Sequence, residues 1–557
     1  MSDRRPELIF SGKVASPGLA AGSIRLHARP KVDASPAGSP EEETARLAAA
    51  LEAAAARLQD LAADAGVSEL AADAGVAELA ADAAGDAAAI LEFQIALVED
   101  GELIDPVRLA IGEGVSAAAA WRRVLDGQVA DYESAEDDYF RARSADLADL
   151  RDRVLELLAG GAGAAPALAQ GEGGIYVADD LAPSRFLEID WQSYRGGALL
   201  AGSANSHVAI LARARGVPLL IGLDLGAARL VSGAAAILDA EQGCLIQDPR
   251  IATRDAFEAR MGQRRVEAEA EAAFLPRPAV TRSGRRIAVA INVDEPKVVE
   301  NIDPAHCDGI GLTRTEFLFS AGLGEEVTED AQFKIYARLI GWAAGRPVTI
   351  RTLDAGGDKP IPGLTPEGES NPFLGLRGIR LSLTRPDIFM PQLRALARAA
   401  ARGPLKVMLP MVTVPREIEE TRAMLEAAVA DLAREGIAAA LPRLGMMVEV
   451  PAAALNVAAF AVDFYSIGSN DLVQYVTATG RDCAAVAALH DPLDPAVLEL
   501  IGRVVAHGAA TGREVGLCGD MASDPRFLPA LLDLGLASLS VAPARLAKVK
   551  AEIARHG

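Results

Sequence analysis

The residue in this chain with the best placement for covalent chemistry is His207, in AGSANSHVAILARARG. It follows the apolar run GGALL and opens an amphipathic helical pattern. Imidazole is a competent nucleophile near neutral pH because its unperturbed pKa lies close by. The small residues before it admit a bulky reactant, and a helix N-terminus offers free N–H groups to steady a transferred anionic group. A lone histidine of this kind is more often an ordinary capped loop residue, and the other five read as bland: His27 in a polar turn, His306 in a loop, His490 in HDP, His507 on a helix and His556 in the tail. What sets His207 apart is a second set of residues downstream. Arg314 stands in GLTRTEF, Arg351, Asp354 and Lys359 in IRTLDAGGDK, and Arg377 in NPFLGLRGIR. Glu449 lies in MVEVPAA, Asn470 and Asp471 in IGSNDL, Arg481 ten residues after Asp471, and Cys518 in GLCGD. Guanidinium forks bind phosphate and carboxylate oxygens through paired hydrogen bonds. Glu449 and Asp471 are hard oxygen ligands of the kind Mg²⁺ takes, one or two at a time.

These residues converge only if the chain between them folds suitably. Eight short apolar runs separate them: 287–293, 307–312, 347–351, 405–412, 443–450, 464–468, 514–518 and 536–541. Helical segments alternate with most of them over nearly 290 residues. Eight βα units of this length predict a TIM barrel. A doubly wound open sheet fits less well, since no Gly-rich dinucleotide fingerprint follows the first strand. In a TIM barrel the chemistry sits at the C-terminal strand ends, where Arg314, Arg351, Asp354, Lys359, Glu449, Asn470, Asp471 and Cys518 all fall. Arginines and acids could merely pair at a rim, but a whole set on one rim reads better as a site.

The first half is organised differently. LIFSGKVASPGLAAGSIRL reads as strands and turns. From about residue 40 to about 158 the chain turns rich in Ala, Leu and Glu with helical periodicity, predicting roughly four helices. A tandem nonapeptide, AADAGVSEL at 62–70 and AADAGVAEL at 71–79, reads as a local duplication lengthening a helical hairpin. The acidic run DYESAEDDYF (131–140) reads as a solvated face, with a docking surface for a basic partner as the alternative. A second α/β stretch, about 173–240, is too short to be a full fold, so residues 1–35 are expected to complete it around the helical insertion. A charged helix near 252–272 then leads into PRP, a linker.

Composition sets outer limits. The 557 residues imply three or four domains, and half of them are apolar. A net charge of −22 argues against nucleic-acid binding and requires that any anion site supply its own cations. The four cysteines form no C-x-x-C pair, so neither a zinc site nor a disulfide framework is indicated. Neither a spanning helix nor a secretory signal is legible, so a cytoplasmic location is expected.

Together the motifs resemble a known family. GSANSHVAILARARGVP looks like the phosphohistidine motif of phosphoenolpyruvate-utilising enzymes. GIGLTRTEFLF, IRTLDAGGDK, NPFLGLRGIR, MMVEVPAA, SIGSNDLVQY and GLCGD resemble the barrel motifs of enzyme I of the bacterial sugar phosphotransferase system. VASPGLAAG, LEFQIALVEDGEL and YVADDLAPS match it too, so the likeness spans nearly the whole chain in order. The resemblance implies an α/β chain with a C-terminal (β/α)8 TIM barrel and an N-terminal α/β swivelling phosphohistidine domain carrying an inserted helical domain. The expected segments are 1–38 and 161–248 for the phosphohistidine domain, 39–160 for the insert, 249–274 for a linker helix and 275–557 for the barrel. It implies His207 as the phosphorylated residue and Arg314, Arg351, Asn470, Asp471 and Arg481 as phosphoenolpyruvate contacts. It implies Glu449 and Asp471 as Mg²⁺ ligands and Cys518 as the acid that protonates departing enolpyruvate. The small carrier protein HPr, or an HPr-like domain, would dock on the helical insert, and the barrels would pair as a homodimer.

The chain departs from the pattern in small ways. Asn205 stands where Thr is common before Ser-His, the nonapeptide pair is extra, and the C-terminus stops soon after the eighth strand. Two rivals remain: a dikinase or phosphoenolpyruvate synthase, and a non-catalytic regulatory relative. The first needs an ATP-binding domain, and no G-x-x-x-x-G-K-[ST] loop is present. Against the second, every chemical position holds a competent residue.

Overall fold

A computed structural model of the chain describes all residues except 1–5, 28–37, 66–89, 135–137, 161–172, 203–205, 227, 295, 320–327, 358, 362, 367 and 481–485. Most of the tandem nonapeptide, the middle of the acidic run, Asn205, Cys483 and Arg481 lie outside the described residues. The chain divides into two compact units, Met1–Gln263 and Arg264–Gly557.

In the first unit seven strands close a barrel: β1 (Leu8–Ser16), β2 (Leu19–His27), β3 (Gly174–Ala178), β4 (Tyr194–Leu199), β5 (Leu219–Asp224), β6 (Ala235–Asp239) and β7 (Cys244–Gln247). β1 runs antiparallel to β5 and β7, while β2 runs parallel to β3 and antiparallel to β6. Strands from both sides of the helical segment therefore share one sheet. Alternation puts Phe10, Ile24, Val177, Leu220, Leu238 and Leu245 in one buried cluster. His27 ends β2 instead of sitting in a polar turn; its ring stacks on Tyr176 with centroids 4.2 Å apart.

The helical segment contains five described helical runs, one more than its periodicity suggested: Pro40–Ala65, 90–99, Gly101–Gly112, Ala117–Glu133 and Asp138–Leu158. The extra one arises because Asp100 restarts the chain, its side chain accepting the Glu102 N–H at 2.9 Å. Glu43 reaches across to accept the Ala117 N–H at 2.7 Å, capping a helix 74 residues away. Trp121 fills the middle of this bundle, fully buried.

A polar seam joins bundle and barrel within this unit. Arg153, 1% exposed, donates to Ser184 Oγ at 2.9 Å and pairs with Glu188. Asp149 accepts from Ser184 Oγ and, at 2.8 Å, from Gln94 Nε2. Removing one member of a buried charge pair strands the other. Arg153→Leu should therefore destabilise the first unit by about 3–5 kcal/mol, read as a lower chemical-denaturation midpoint; an unchanged midpoint would show the seam to be solvated.

The second unit is an eight-stranded parallel barrel: β8 (Ala288–Val293), β9 (Ile310–Thr313), β10 (Val348–Arg351), β11 (Leu405–Leu409), β12 (Arg443–Val448), β13 (Phe464–Gly468), β14 (Glu514–Cys518) and β15 (Ser538–Val541). β15 pairs with β8 and closes the ring. All eight strands read from the sequence are present, shortened at one or both ends in most cases. Outward-facing Val289, Ile291, Ile350, Val407, Met446, Ile467 and Leu539 pack under the helices as one cluster. Leu312, Met408, Met447, Phe464 and Cys518 form a separate, smaller cluster.

Candidate active site

The barrel rim is organised by one arginine. Arg377, fully buried, has all five N–H donors engaged. Nε and Nη2 bind the two oxygens of Asp354 at 3.1 Å each. Nη1 and Nη2 bind those of Asp471 at 2.9 and 3.2 Å, and Nη1 also reaches Tyr475 Oη at 3.4 Å. Arg377 thereby ties Asp354 to Asp471 at the rim. Its forks are closed on carboxylates, so it positions Asp354 and Asp471. Burial opposes the charge of Asp354, but Arg377 and Arg351 outweigh it and hold the carboxyl far below its ordinary range.

Arg351, at the end of β10, is 5% exposed. It pairs with Asp354 through Nη1 at 3.1 Å and with Glu316 through Nη2 at 3.2 Å. The Glu316 pair is not aligned as a hydrogen bond, and buried Nε has no hydrogen-bond partner. Burial disfavours its charge, but Glu316 and Asp354 prevail and raise its pKa above the usual guanidinium value. Arg351 is thus a permanent cation with donor capacity left over. Arg314, just past β9, lies 3.3 Å from Asp294. Glu316 was missed in the sequence, although it stands two residues after Arg314 in the same motif.

Glu449 and Asp471 lie at the ends of neighbouring strands β12 and β13. Glu449 is 1% exposed and accepts the Met411 N–H through Oε1. Burial, then the charges of Asp471 and Asp354, push its pKa up to about 8. Gly468 lets the backbone pass close: a Cβ there would stand 2.7 Å from Glu449 Oε2. Asn470 accepts the Asp520 N–H at 2.9 Å through Oδ1, which fixes its amide. Gly519, at φ +101°, permits that contact, since a Cβ would fall 2.7 Å from the same oxygen.

Whether a divalent cation suits this rim follows from the donors present. Glu449 and Asp471 are two hard oxygen donors. Among the described residues Arg314, Arg351, Arg377 and Lys359 face Asp294, Glu316, Asp354, Glu449 and Asp471. Four cations meet five carboxyl groups, and this surplus adds to burial in raising the pKa of Glu449. A cation between Glu449 and Asp471 would relieve it, so the residues fit. No group of three or more His, Cys, Asp or Glu side chains gathers as a ready ligand set among the described residues, so the remaining ligands would be water and substrate oxygens.

Cys518 ends β14, 2% exposed. Ser466 Oγ donates to its Sγ at 3.5 Å, and Sγ–H donates to the Ile467 carbonyl at 3.6 Å. Burial pushes the thiol pKa up, outweighing Ser466, so it stays protonated at neutral pH. In the first unit His207 is the first residue of the helix His207–Ala214, and its side chain is exposed. Ser206 caps that helix, accepting the Ala209 N–H at 3.3 Å. The charge of His207 reaches Asp146 of the helical bundle, so the two are electrostatic neighbours.

The thiol state is directly checkable. Iodoacetamide at neutral pH should leave Cys518 unmodified in the folded chain and label it only on unfolding, as read by peptide mass spectrometry. Rapid labelling of the folded protein would contradict a buried, protonated thiol.

With this geometry in hand, comparison with known proteins is informative. The model of the PEP-utilising enzyme PEP-binding domain matches residues 268–557. The models of the N-terminal and mobile domains of PEP-utilising enzymes match 11–143 and 170–243. The chain is 34% identical over 551 residues to the phosphoenolpyruvate-protein phosphotransferase of Priestia megaterium, covering 98% of this chain and 93% of that one. It is 37% identical over 472 residues to the enzyme of the same name from Bacillus sp. (strain S), covering 84% and 81%. The multiphosphoryl transfer protein of Rhodobacter capsulatus shares 37% identity over 474 residues, covering 84% of this chain and 56% of that protein. The chain therefore belongs to the PEP-utilising enzymes, in the phosphotransferase branch that contains enzyme I.

Proposed function

We propose that the chain moves the phosphoryl group of phosphoenolpyruvate onto His207 and then onto a histidine of HPr or an HPr-like domain, the first step of sugar uptake by the phosphotransferase system. The observation that carries this reading is Arg351, a buried guanidinium with unspent donors beside a carboxyl pair suited to Mg²⁺. In this reading residues 1–38 and 161–248 present His207, 39–160 dock the carrier, 249–274 link, and 275–557 bind phosphoenolpyruvate. The enzyme would work in the cytoplasm as a barrel-paired homodimer, in line with its family. No described helix is long and apolar enough to cross a membrane.

The mechanism follows from the side chains. Arg314 and Arg351, with Asn470 and Arg481, hold the phosphate and carboxylate of phosphoenolpyruvate. Mg²⁺ held by Glu449 and Asp471 would supply charge neutralisation at the phosphate oxygens. His207 attacks phosphorus in line, and catalysis is mostly positioning and charge stabilisation. The P–O bond to enolpyruvate breaks as the P–N bond forms. Cys518 then gives its proton to C3 of the leaving enolpyruvate, producing pyruvate and a thiolate. A raised thiol pKa suits this step, because the proton is present at neutral pH.

Incubation with phosphoenolpyruvate and Mg²⁺ should give one acid-labile phosphoryl adduct by intact mass, absent in His207→Ala. Formation of ATP from AMP and pyrophosphate would instead indicate the dikinase chemistry. Arg377→Lys keeps a charge but loses both forks. It should cut adduct formation by about 100-fold with circular dichroism unchanged. Wild-type rates in that variant would show that Asp354 and Asp471 need no positioning.

A further inference from the structure

TIM-barrel interiors are normally filled by layers of bulky branched side chains. Here small and polar residues, Ala290, Gly311, Thr349, Ser466, Gly516 and Ser540, share the wall below the rim with Ile310, Phe464 and Leu517. They line a cavity of about 70 Å³ that runs to the N-terminal floor of the barrel. At the floor Lys406 Nζ pairs with Glu514 at 2.6 Å, and the Glu514 side chain is 41% exposed, so the cavity meets solvent there. A cavity with hydroxyl, ammonium and carboxylate walls takes water. Ser466 belongs to this wall and is also the residue whose Oγ touches Cys518 Sγ.

We infer that Ser466 relays protons between water in this cavity and Cys518. The inference rests on the assignment of Cys518 as the acid. Once Cys518 has given its proton to enolpyruvate, its thiolate is buried and must be recharged. It can no longer donate to the Ile467 carbonyl, whereas Ser466 Oγ–H still points at sulfur. The Ser466 O–H bond breaks as the S–H bond forms. Ser466 Oγ takes a proton from cavity water, and the resulting hydroxide is neutralised through the water chain to bulk at the floor. No redox partner is needed. Ser466 acts through Cys518 and is a positioning and relay residue for the proposed reaction.

The test separates solvent access from chemistry. With phosphoenolpyruvate, Mg²⁺ and carbon-labelled pyruvate in D2O, carbon exchange between pyruvate and phosphoenolpyruvate needs no solvent proton, because Cys518 can return the one it took. Deuterium entry into either compound does need one. In Ser466→Ala the ratio of deuterium entry to carbon exchange should fall by about tenfold or more, and Ser466→Thr should restore it. Gly516→Ala fits sterically, its Cβ standing 3.4 Å from Ser538 Oγ, and by narrowing the cavity should lower the same ratio. General structural damage would slow both processes together and leave the ratio unchanged. A wild-type ratio in Ser466→Ala overturns the relay and shows that solvent reaches sulfur from the rim. Wild-type carbon exchange in Cys518→Ala would overturn the acid assignment itself.

Discussion

The rim depends on the double fork of Arg377. One guanidinium holds Asp354 from the β10 end and Asp471 from the β13 end, spanning the barrel mouth from one side to the other. Both acids are buried, and a buried carboxylate without a partner would protonate or drive the loop outward. Because Arg377 is saturated, Arg351 can pair with Asp354 and still keep donors in hand. The same fork fixes Asp471 while leaving Glu449, across the mouth of β12, without a full counter-charge. The site is thus charged unevenly, and the unevenness is where a cation and an anionic ligand fit.

Catalytic order follows from this division of labour. Arg351 is a cation at any accessible pH, since neighbouring carboxylates outweigh its burial. Cys518 is neutral at any pH near seven, since burial outweighs Ser466. One group therefore keeps its protons throughout, and the other holds one that the proposed reaction would use. His207, in the first unit, is exposed at the start of a capped helix.

Much of this was legible in residues alone. The eight barrel strands could be read because each is a short apolar run bounded by turn residues, and their ends put Arg351, Glu449, Asp471 and Cys518 on one rim. The partners of Arg377 gave no signal, because its type and motif suggest anion binding, while Asp354 and the helix residue Asp471 lie more than 20 and 90 residues away. Glu316 was overlooked because an acid beside arginines looks like surface pairing until its burial is known. His27 looked like a turn residue because the polar segment after it hid the end of β2. Ser466 gave no signal at all: a serine in FYSIG is a routine strand residue until the register sets it opposite Gly516, two positions from Cys518 on the same face.

The acidity of the whole chain acquires a local meaning at this point. An anion site in a protein of charge −22 was expected to carry a cationic excess. The rim instead balances its arginines nearly one for one with acids, and the deficit falls on Glu449. A purely cationic pocket would hold phosphate strongly in ground and transition states alike, which raises affinity without raising rate. In the proposed reaction, a near-neutral pocket completed by a dissociable cation would bind substrate and metal as a unit and release pyruvate once the phosphoryl group has left. Arg377 is what makes that balance possible, because it keeps two carboxylates ionised inside the barrel that would otherwise have to be protonated or exposed.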